Sequence, residues 1–229
     1  MLMKVHCQHE WQVSATEAIE IQKKLAGKIS RRNEVCSPQL IAGVDISPPD
    51  DSGITTGAVV VFSYPELAQV EVQIAQQKPN FLYIPGLLSF REAPVILSAC
   101  EKLKCDPDII MVDGQGIAHP RRLGLASHLG VFLNIPTIGC AKSRLCGKHE
   151  SVNSSRGSFT NLMHKDEIIG AALCTKDRTN PMYISIGHMI DLENAIEWVL
   201  KCCQKHKMPE PTRFAHIVAG GAPEKVSNN

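Results

Sequence analysis

The chain has 229 residues and a formal net charge of +1, and this length predicts one α/β domain, residues 1–229, with a sizeable core. The near-neutral charge excludes a uniformly basic nucleic-acid binder, so any nucleic acid would have to meet a local positive patch. Nine cysteines occur without a C-x-x-C spacing, which excludes a disulfide framework and a zinc site. With no signal peptide and no apolar run of about 20 residues, we expect a cytoplasmic protein with no membrane partner.

The first half of the chain predicts one helix and three strands. Ser14 and Glu17 have capping-box spacing, which predicts a helix that ends near Gly27. Strand-like runs separated by short turn-rich stretches follow, and short turns predict an antiparallel meander. These predicted strands cover residues 40–46, 57–62 and 67–75.

The second half alternates helices with short apolar runs that are typical of buried parallel strands. The predicted elements are a helix at 89–104, a strand at 109–112, a helix at 121–130, strands at 135–140, 167–174 and 182–186, and a helix after Asp191. A disordered tail is predicted at 220–229. This order predicts an α/β fold with a ribonuclease-H-like mixed sheet, in which a three-strand antiparallel meander joins parallel strands and helices cover both faces.

Two aspartates accompany the strands that we expect to be buried. Asp45 lies inside the apolar run 40–46, and Asp113 follows the run 109–112 at its carboxyl end, where open α/β sheets bind ligands. If these strands are neighbours, the two carboxylates face each other, and their repulsion predicts a divalent cation, Mg²⁺ with Mn²⁺ able to replace it. The alternative is that Asp45 precedes a turn at Pro48 and Asp113 begins a β-turn.

Glu92 is the third candidate carboxylate. Ser89 precedes it with capping-box spacing, and taken alone Glu92 fits a helix cap better than a metal ligand. Pro94 weakens the capping interpretation, because it would then lie deeper than the first helical position. Three carboxylates could hold one or two ions that activate a water and stabilise a phosphate leaving group.

Other candidate residues carry weaker signals. Lys142 lies just beyond the strand 135–140 and could contact a phosphate, although a solvated surface lysine is the simpler alternative. We expect it to join a local positive patch with Arg121, Arg122, Arg144 and Lys148. On spacing alone, His119 is a histidine in a glycine-rich loop, His216 is an ordinary histidine and Tyr83 is a packed aromatic.

Taken together, the sequence resembles the endonuclease V family. The resemblance runs in order through roughly residues 15–217, and its most specific stretches are 83–92, with Ser-Phe-Arg-Glu, and 113–121, with Asp-Gly-Gln-Gly-Ile-Ala-His-Pro-Arg. Further matching stretches are 41–45, 124–128, 139–143, 185–188 and 211–213. Leu82 departs from the family pattern, which often has proline before Tyr83, and this puts the conformation of that loop in question.

The resemblance implies a nuclease that acts on inosine and serves DNA repair. It implies cleavage of the second phosphodiester 3′ to the lesion, leaving 3′-hydroxyl and 5′-phosphate ends. DNA is the favoured substrate and RNA the alternative, and we expect a monomer.

The resemblance also implies roles for individual residues. Asp45, Glu92 and Asp113 match metal-binding carboxylates, and His216 matches a position that also serves the metal site in some members and is acidic in others. Lys142 matches a lysine that contacts the cut phosphate. Tyr83 matches an aromatic that wedges into the duplex where the base is displaced. The matching substrate-binding residues around the extruded base are Gly86, Leu88, Gly114, His119 and Leu125.

Three competing interpretations remain. A nucleotide-binding phosphotransferase on the same sheet would need a second domain, for which the chain is too short. A non-catalytic inosine-binding module has no need of three carboxylates that repel one another. A generic ribonuclease H or resolvase would not explain the stretches 83–92 and 113–121.

Overall fold

A computed structural model describes residues 3–221. In chain order the elements are α1 (Ala15–Ala26), β1 (Leu40–Ile46), β2 (Thr55–Ser63), β3 (Gln69–Gln77), α2 (Leu88–Cys100), β4 (Ile109–Val112), α3 (Leu125–Leu133), β5 (Thr137–Ala141), β6 (Phe159–His164), β7 (Glu167–Leu173), β8 (Met182–His188), α4 (Leu192–Cys202) and α5 (Glu210–Ala219). Among these residues, no helix combines the length and the apolar character that crossing a bilayer requires.

The eight strands form one mixed sheet in the order β3-β2-β1-β4-β5-β8-β7-β6. Strands β1, β2 and β3 pair antiparallel, whereas β4 pairs parallel with both β1 and β5. Beyond β5, the strands β8, β7 and β6 continue antiparallel. The sheet therefore has the predicted meander joined to parallel strands, and the predicted mixed α/β fold is confirmed.

Helices cover both faces of this sheet. Because successive side chains of a strand point to opposite faces, β1 contributes to two cores. Ala42 and Val44 pack with buried residues of α1, α2 and α3, whereas Ile41 packs with residues of α4. Helix α5 packs on Ala58 and Val60 of β2, and these residues form a separate apolar cluster.

Helix α1 begins as the sequence predicts. The backbone N–H of Glu17 donates to the Ser14 hydroxyl, and the N–H of Ser14 donates to the Glu17 carboxylate at 2.7 Å. Two backbone donors at the helix start are satisfied in this way, and the helix is followed by Gly27 as its C-cap.

The second predicted capping box is wrong. Helix α2 begins at Leu88, Leu87 is its N-cap, and the cap makes no side-chain hydrogen bond. The hydroxyl of Ser89 lies instead 2.9 Å from Nδ1 of His128, so a tertiary partner replaces the local one. Helix α2 also accommodates Pro94 and ends at Cys100, earlier than the predicted 104.

Helix α3 begins four residues later than predicted. Arg122 has a φ of 60°, a left-handed conformation that no α-helix accommodates. Gly124 is extended and forms the N-cap. The expected start at 121 therefore falls in a turn.

Two elements were not predicted from the sequence. The edge strand β6 is largely exposed and so lacks the apolar run that marks a buried strand. Helix α5 has proline in its first turn, where proline is tolerated because its missing N–H has no helical partner. Of the predicted tail 220–229, only Gly220 and Gly221 lie within the described residues.

Gly43 lets α5 approach β1. A Cβ atom at this position would lie 2.0 Å from the carbonyl carbon of Pro211 and 2.1 Å from its oxygen. Backbone atoms cannot yield as a flexible side chain can, so only glycine fits beneath the first turn of α5.

Gly43→Ala should therefore destabilise the fold, by roughly 3 kcal/mol, because overpacking forces α5 away from the sheet. Urea unfolding followed by circular dichroism measures this. Gly27→Ala is the matched control, since the nearest atom to its Cβ would be the Lys24 carbonyl oxygen at 3.5 Å. Equal stability of the two variants would contradict the tight contact.

Candidate active site

Two carboxylates lie side by side at the carboxyl ends of neighbouring parallel strands. Val44 of β1 is paired with Val112 of β4, and the N–H of Asp113 donates to the Val44 carbonyl at 3.2 Å. The side chains of Asp45 and Asp113 are only 11% and 12% exposed. The predicted adjacency of the two aspartates is confirmed, and their charges are poorly solvated.

Each aspartate has one partner from another element. Nζ of Lys142, just after β5, lies 2.6 Å from Oδ2 of Asp113. Nδ1 of His216, on α5, lies 2.6 Å from Oδ2 of Asp45. The sheet and α5 thus bring together four residues that are far apart in the sequence.

Glu92 adds a third carboxylate from α2. Burial, together with the negative charges of Asp45 and Asp113, raises its pKa to about 8 against the opposing effect of Arg91. Near neutral pH this group therefore holds its proton much more often than an exposed glutamate does.

Burial also raises the pKa of Asp45, and the charge of Asp113 adds to the effect. The backbone N–H of Ile46, the ring of His216 and the charge of Lys142 act in the opposite direction. Burial and mutual repulsion therefore both disfavour the charged forms of these neighbouring acids.

The donor atoms suit a divalent cation. Ligand atoms of Asp45, Asp113 and His216 all lie within 4.8 Å of one another. Two carboxylate oxygens and an imidazole nitrogen are common ligands of divalent metals, and a cation would relieve the repulsion described above. Glu92 is not part of this close group, although the charges of both aspartates raise its pKa.

A pocket of about 160 Å³ opens beside the carboxylates. The wall is mainly apolar side chains and glycine backbone, with Glu92 and Asp113 at one side. The structure brings together here all five residues that the sequence places around a base, namely Gly86, Leu88, Gly114, His119 and Leu125. The pocket and the acidic group therefore form one continuous site.

A tight turn at Gly86 shapes the pocket. Its φ is 80°, in the left-handed region that glycine adopts without strain. The carbonyl of Gly86 accepts hydrogen bonds from Nε2 of Gln22 at 3.0 Å, from Nη2 of Arg121 at 2.6 Å and from Nε2 of His119 at 3.0 Å. Three donors on one carbonyl hold the turn in place.

His119 serves this turn as a neutral donor. Burial lowers its pKa to about 4, and its Nδ1 accepts from the N–H of Arg121. The single ring proton must therefore be on Nε2, which faces the Gly86 carbonyl. Sequence reasoning missed Gln22 and the contacts of Arg121, because a glutamine in α1 gives no signal of a partner 64 residues away.

Exposed apolar side chains flank the mouth of the pocket. Leu82 and Tyr83 are 78% and 71% exposed, which is unusual for large apolar residues. Leu145, also exposed, borders the pocket from the loop after β5. Tyr83 is thus not the packed aromatic that its isolated position in the sequence favours.

The predicted positive patch is smaller than expected. Arg122 pairs with Glu167, and Arg121 is engaged by Gln22 and Gly86. The members of the predicted patch that are exposed are Lys142, Arg144 and Lys148, in the stretch after β5. Arg121 and Arg122 act in the local fold and do not extend the patch.

Comparison with known proteins decides the family. The sequence profile described as Endonuclease V matches residues 23–217. The chain belongs to the endonuclease V family. A relative named endonuclease V from Trichormus variabilis is 49% identical over 218 residues, which cover 95% of this chain and 99% of the relative.

Solved endonuclease V structures share the fold. The crystal structure from Streptomyces avermitilis has a TM-score of 0.89 and 35% identity, and covers 98% of this chain and 99% of that one. A Ciona intestinalis endonuclease V has a TM-score of 0.79 and 27% identity, over 92% of this chain and 98% of that one. That protein was crystallised with a 24mer DNA containing an inosine followed by a ribo-adenosine.

Membership confirms the predicted family and the predicted nuclease activity. A phosphotransferase and a non-catalytic module are thereby set aside. The roles assigned to single residues stay predictions, and the geometry shows which of them can act together.

Stability of the metal-free endonuclease should depend on pH through Glu92. Its folded-state pKa, about 8, lies above the ordinary value of 4.5, so the folded state binds more protons than the unfolded state between these values. Stability should therefore fall as pH rises from about 4.5 to about 8, by at most about 5 kcal/mol.

Glu92→Gln should remove most of this slope, because a neutral amide has no proton to lose. Urea unfolding with a chelator at pH 5 and pH 8 measures it. Glu101→Gln, an exposed acid just after the same helix, is the matched control. Identical slopes for wild type and Glu92→Gln would contradict the burial effect.

Proposed function

We propose that this endonuclease requires a divalent cation, recognises inosine in DNA, and hydrolyses the second phosphodiester bond 3′ to the lesion, leaving 3′-hydroxyl and 5′-phosphate ends. The observation that supports this most directly is the continuity of the pocket with the acidic group. Leu88 and Leu125 line the same space as Glu92 and Asp113. A base held in the pocket would thus keep its own backbone close to the carboxylates.

Asp45, Asp113 and His216 would hold the cation, and Glu92, whose pKa responds to the charges of both aspartates, would be a further ligand. Mg²⁺, or Mn²⁺ in its place, would activate a water and stabilise the leaving oxygen. The raised pKa values of Asp45 and Glu92 favour this assignment, because a buried acidic group that is short of positive charge binds cations well.

The chain's own side chains would orient the substrate. Lys142, already held beside Asp113, would contact the phosphate that is cut. Tyr83 would enter the duplex and fill the space that the extruded base leaves, with Leu82 beside it. A deaminated base pairs poorly, so extruding it costs less than extruding a normal base.

Inosine in RNA is the second candidate substrate. It is supported by the Ciona intestinalis complex, whose DNA has a ribo-adenosine after the inosine. A 2′-hydroxyl next to the lesion would distinguish the two substrates. The monomeric state and the cytoplasmic location remain expectations from the sequence.

Nicking assays with Mg²⁺ on matched DNA and RNA oligonucleotides, each with one inosine, should give a single product cut one nucleotide beyond the lesion. Inosine-free oligonucleotides should stay intact, because their bases are costly to extrude. Gel analysis of end-labelled strands reports the position and the chemistry of the ends, and the faster substrate identifies the natural one.

Asp45→Ala should reduce this cutting below detection, while Asp51→Ala, an exposed acid in the turn after β1, should not. Folding of both variants is checked by circular dichroism. Cutting by Asp45→Ala at a rate close to wild type would show that the metal-site assignment is wrong.

Tyr83→Ala should weaken binding to inosine duplexes by roughly tenfold, since stacking of one base on an aromatic ring contributes about 1–3 kcal/mol. The Mg²⁺ concentration needed for half-maximal cutting should stay unchanged, because the ring is on the pocket mouth and not among the acids. Tyr83→Phe keeps the ring and is the control. A parallel loss of Mg²⁺ and lesion affinity would contradict the wedge role.

A further inference from the structure

A chain of hydrogen bonds links the N-terminal segment to the pocket. Nδ1 of His9 lies 2.7 Å from the Glu10 carbonyl, and its Nε2 lies 2.8 Å from Nε2 of His128. Nδ1 of His128 lies 2.9 Å from the Ser89 hydroxyl. His128 is fully buried, and Ser89, which is 3% exposed, lines the pocket.

Both histidines in this series of hydrogen bonds, His9 and His128, are neutral near pH 7. Burial lowers the pKa of His9, and burial lowers the pKa of His128 well below its ordinary value. A neutral imidazole has one N–H and one bare nitrogen, so each ring donates once and accepts once.

The positions of the protons on the two rings follow from the Glu10 carbonyl, at one end of the series of hydrogen bonds. A carbonyl only accepts, so the proton of His9 is on Nδ1, toward Glu10. Its bare Nε2 then accepts from Nε2–H of His128. This leaves Nδ1 of His128 bare, and the hydroxyl of Ser89 must donate to it.

With its hydrogen committed in this way, Ser89 keeps only lone pairs for other partners. A free serine hydroxyl rotates and either donates or accepts, but this one is restricted to accepting. Within residues 3–221, no other hydrogen bond engages its oxygen. The pocket wall therefore contains a hydroxyl oxygen that can only accept.

Packing against aromatic rings holds the His9 side chain in position for its hydrogen bond to His128. Its ring contacts Trp11, Phe90 and Phe132 with centroid distances of 4.6, 5.2 and 5.1 Å. Phe90 is the residue next to Ser89 on α2, so the aromatic cluster and the hydrogen bonds fix the same part of the pocket wall.

We propose that Ser89 is a specificity-determining residue that accepts the ring N1–H of hypoxanthine, and that His128 and His9 are positioning residues that keep its hydroxyl an acceptor. Adenine has a lone pair at N1 in place of the N–H, so the Ser89 oxygen would face it with lone pair against lone pair. This inference rests on the proposed function, because it assumes that the pocket receives inosine.

Binding to three duplexes tests the proposed role of Ser89, with Ca²⁺ replacing Mg²⁺ to prevent cutting. The duplexes contain hypoxanthine, unsubstituted purine or adenine at one position, and fluorescence anisotropy gives the dissociation constants. Purine has a lone pair at N1 and lacks the 6-oxygen. Contacts to that oxygen cancel when the hypoxanthine-to-purine ratio of a variant is compared with that of wild type.

Ser89→Ala should reduce the hypoxanthine-to-purine preference by roughly tenfold, because hypoxanthine loses its acceptor and purine no longer meets an opposing lone pair. A residue with only a structural role would weaken binding of both bases equally and leave the ratio unchanged.

His9→Phe keeps an aromatic ring in the cluster but removes the acceptor for His128. The proton of His128 is then free to occupy Nδ1, and Ser89 would donate into the pocket. The preference should fall again, and purine binding should become tighter than in wild type. His6→Ala, on the same segment but outside the chain of hydrogen bonds, should leave the ratio unchanged.

The two possible failures are distinguishable. Wild type without preference for hypoxanthine over adenine would overturn the proposed function and this inference with it. A wild-type preference that both variants retain would overturn this inference alone. Thermal melting checks folding, and if Ser89→Ala does not fold, the ratio measured for His9→Phe decides.

Discussion

Repulsion between carboxylates that the sheet forces together is the constraint around which this molecule is arranged. Parallel pairing of β1 with β4 fixes Asp45 and Asp113 side by side, and α2 adds Glu92 to the same low-dielectric region. Lys142 and His216 each contact one of the aspartates. Without cations the group is unfavourable, and that is the property a metal-dependent nuclease requires, because the same repulsion becomes affinity when a metal binds.

Helix α2 connects the chemistry to recognition. Leu88 and Ser89 line the pocket, and Glu92, one turn later, borders both the pocket and the aspartates. Residues three or four apart lie on one face of a helix, so a short segment of α2 can contact a base and stand beside the acids at once. The turn at Gly86, held by three donors, also lines the pocket. The proposed sites of recognition and cleavage thus share helix α2.

The sequence predicted those features of the fold and site that local patterns encode. The apolar run of β4 followed by Asp113, and the buried aspartate of β1, identify the acids, and the family resemblance identifies the pocket residues. The failures have a common physical cause. The Ser89–Glu92 spacing is that of a capping box, yet a partner 39 residues away binds Ser89. His9 and His128 are 119 residues apart. Contacts of this kind leave no local periodicity to detect.

Helix α5 covers Gly43 and contributes His216, and it follows all eight strands in the chain. A ribosome makes these elements in order, so the sheet and its two aspartates exist before their third donor does. The growing polypeptide therefore contains only part of the proposed ligand set until α5 emerges and docks on β1. The proposed cation site is therefore the part of the molecule that synthesis completes last among the described helices and strands.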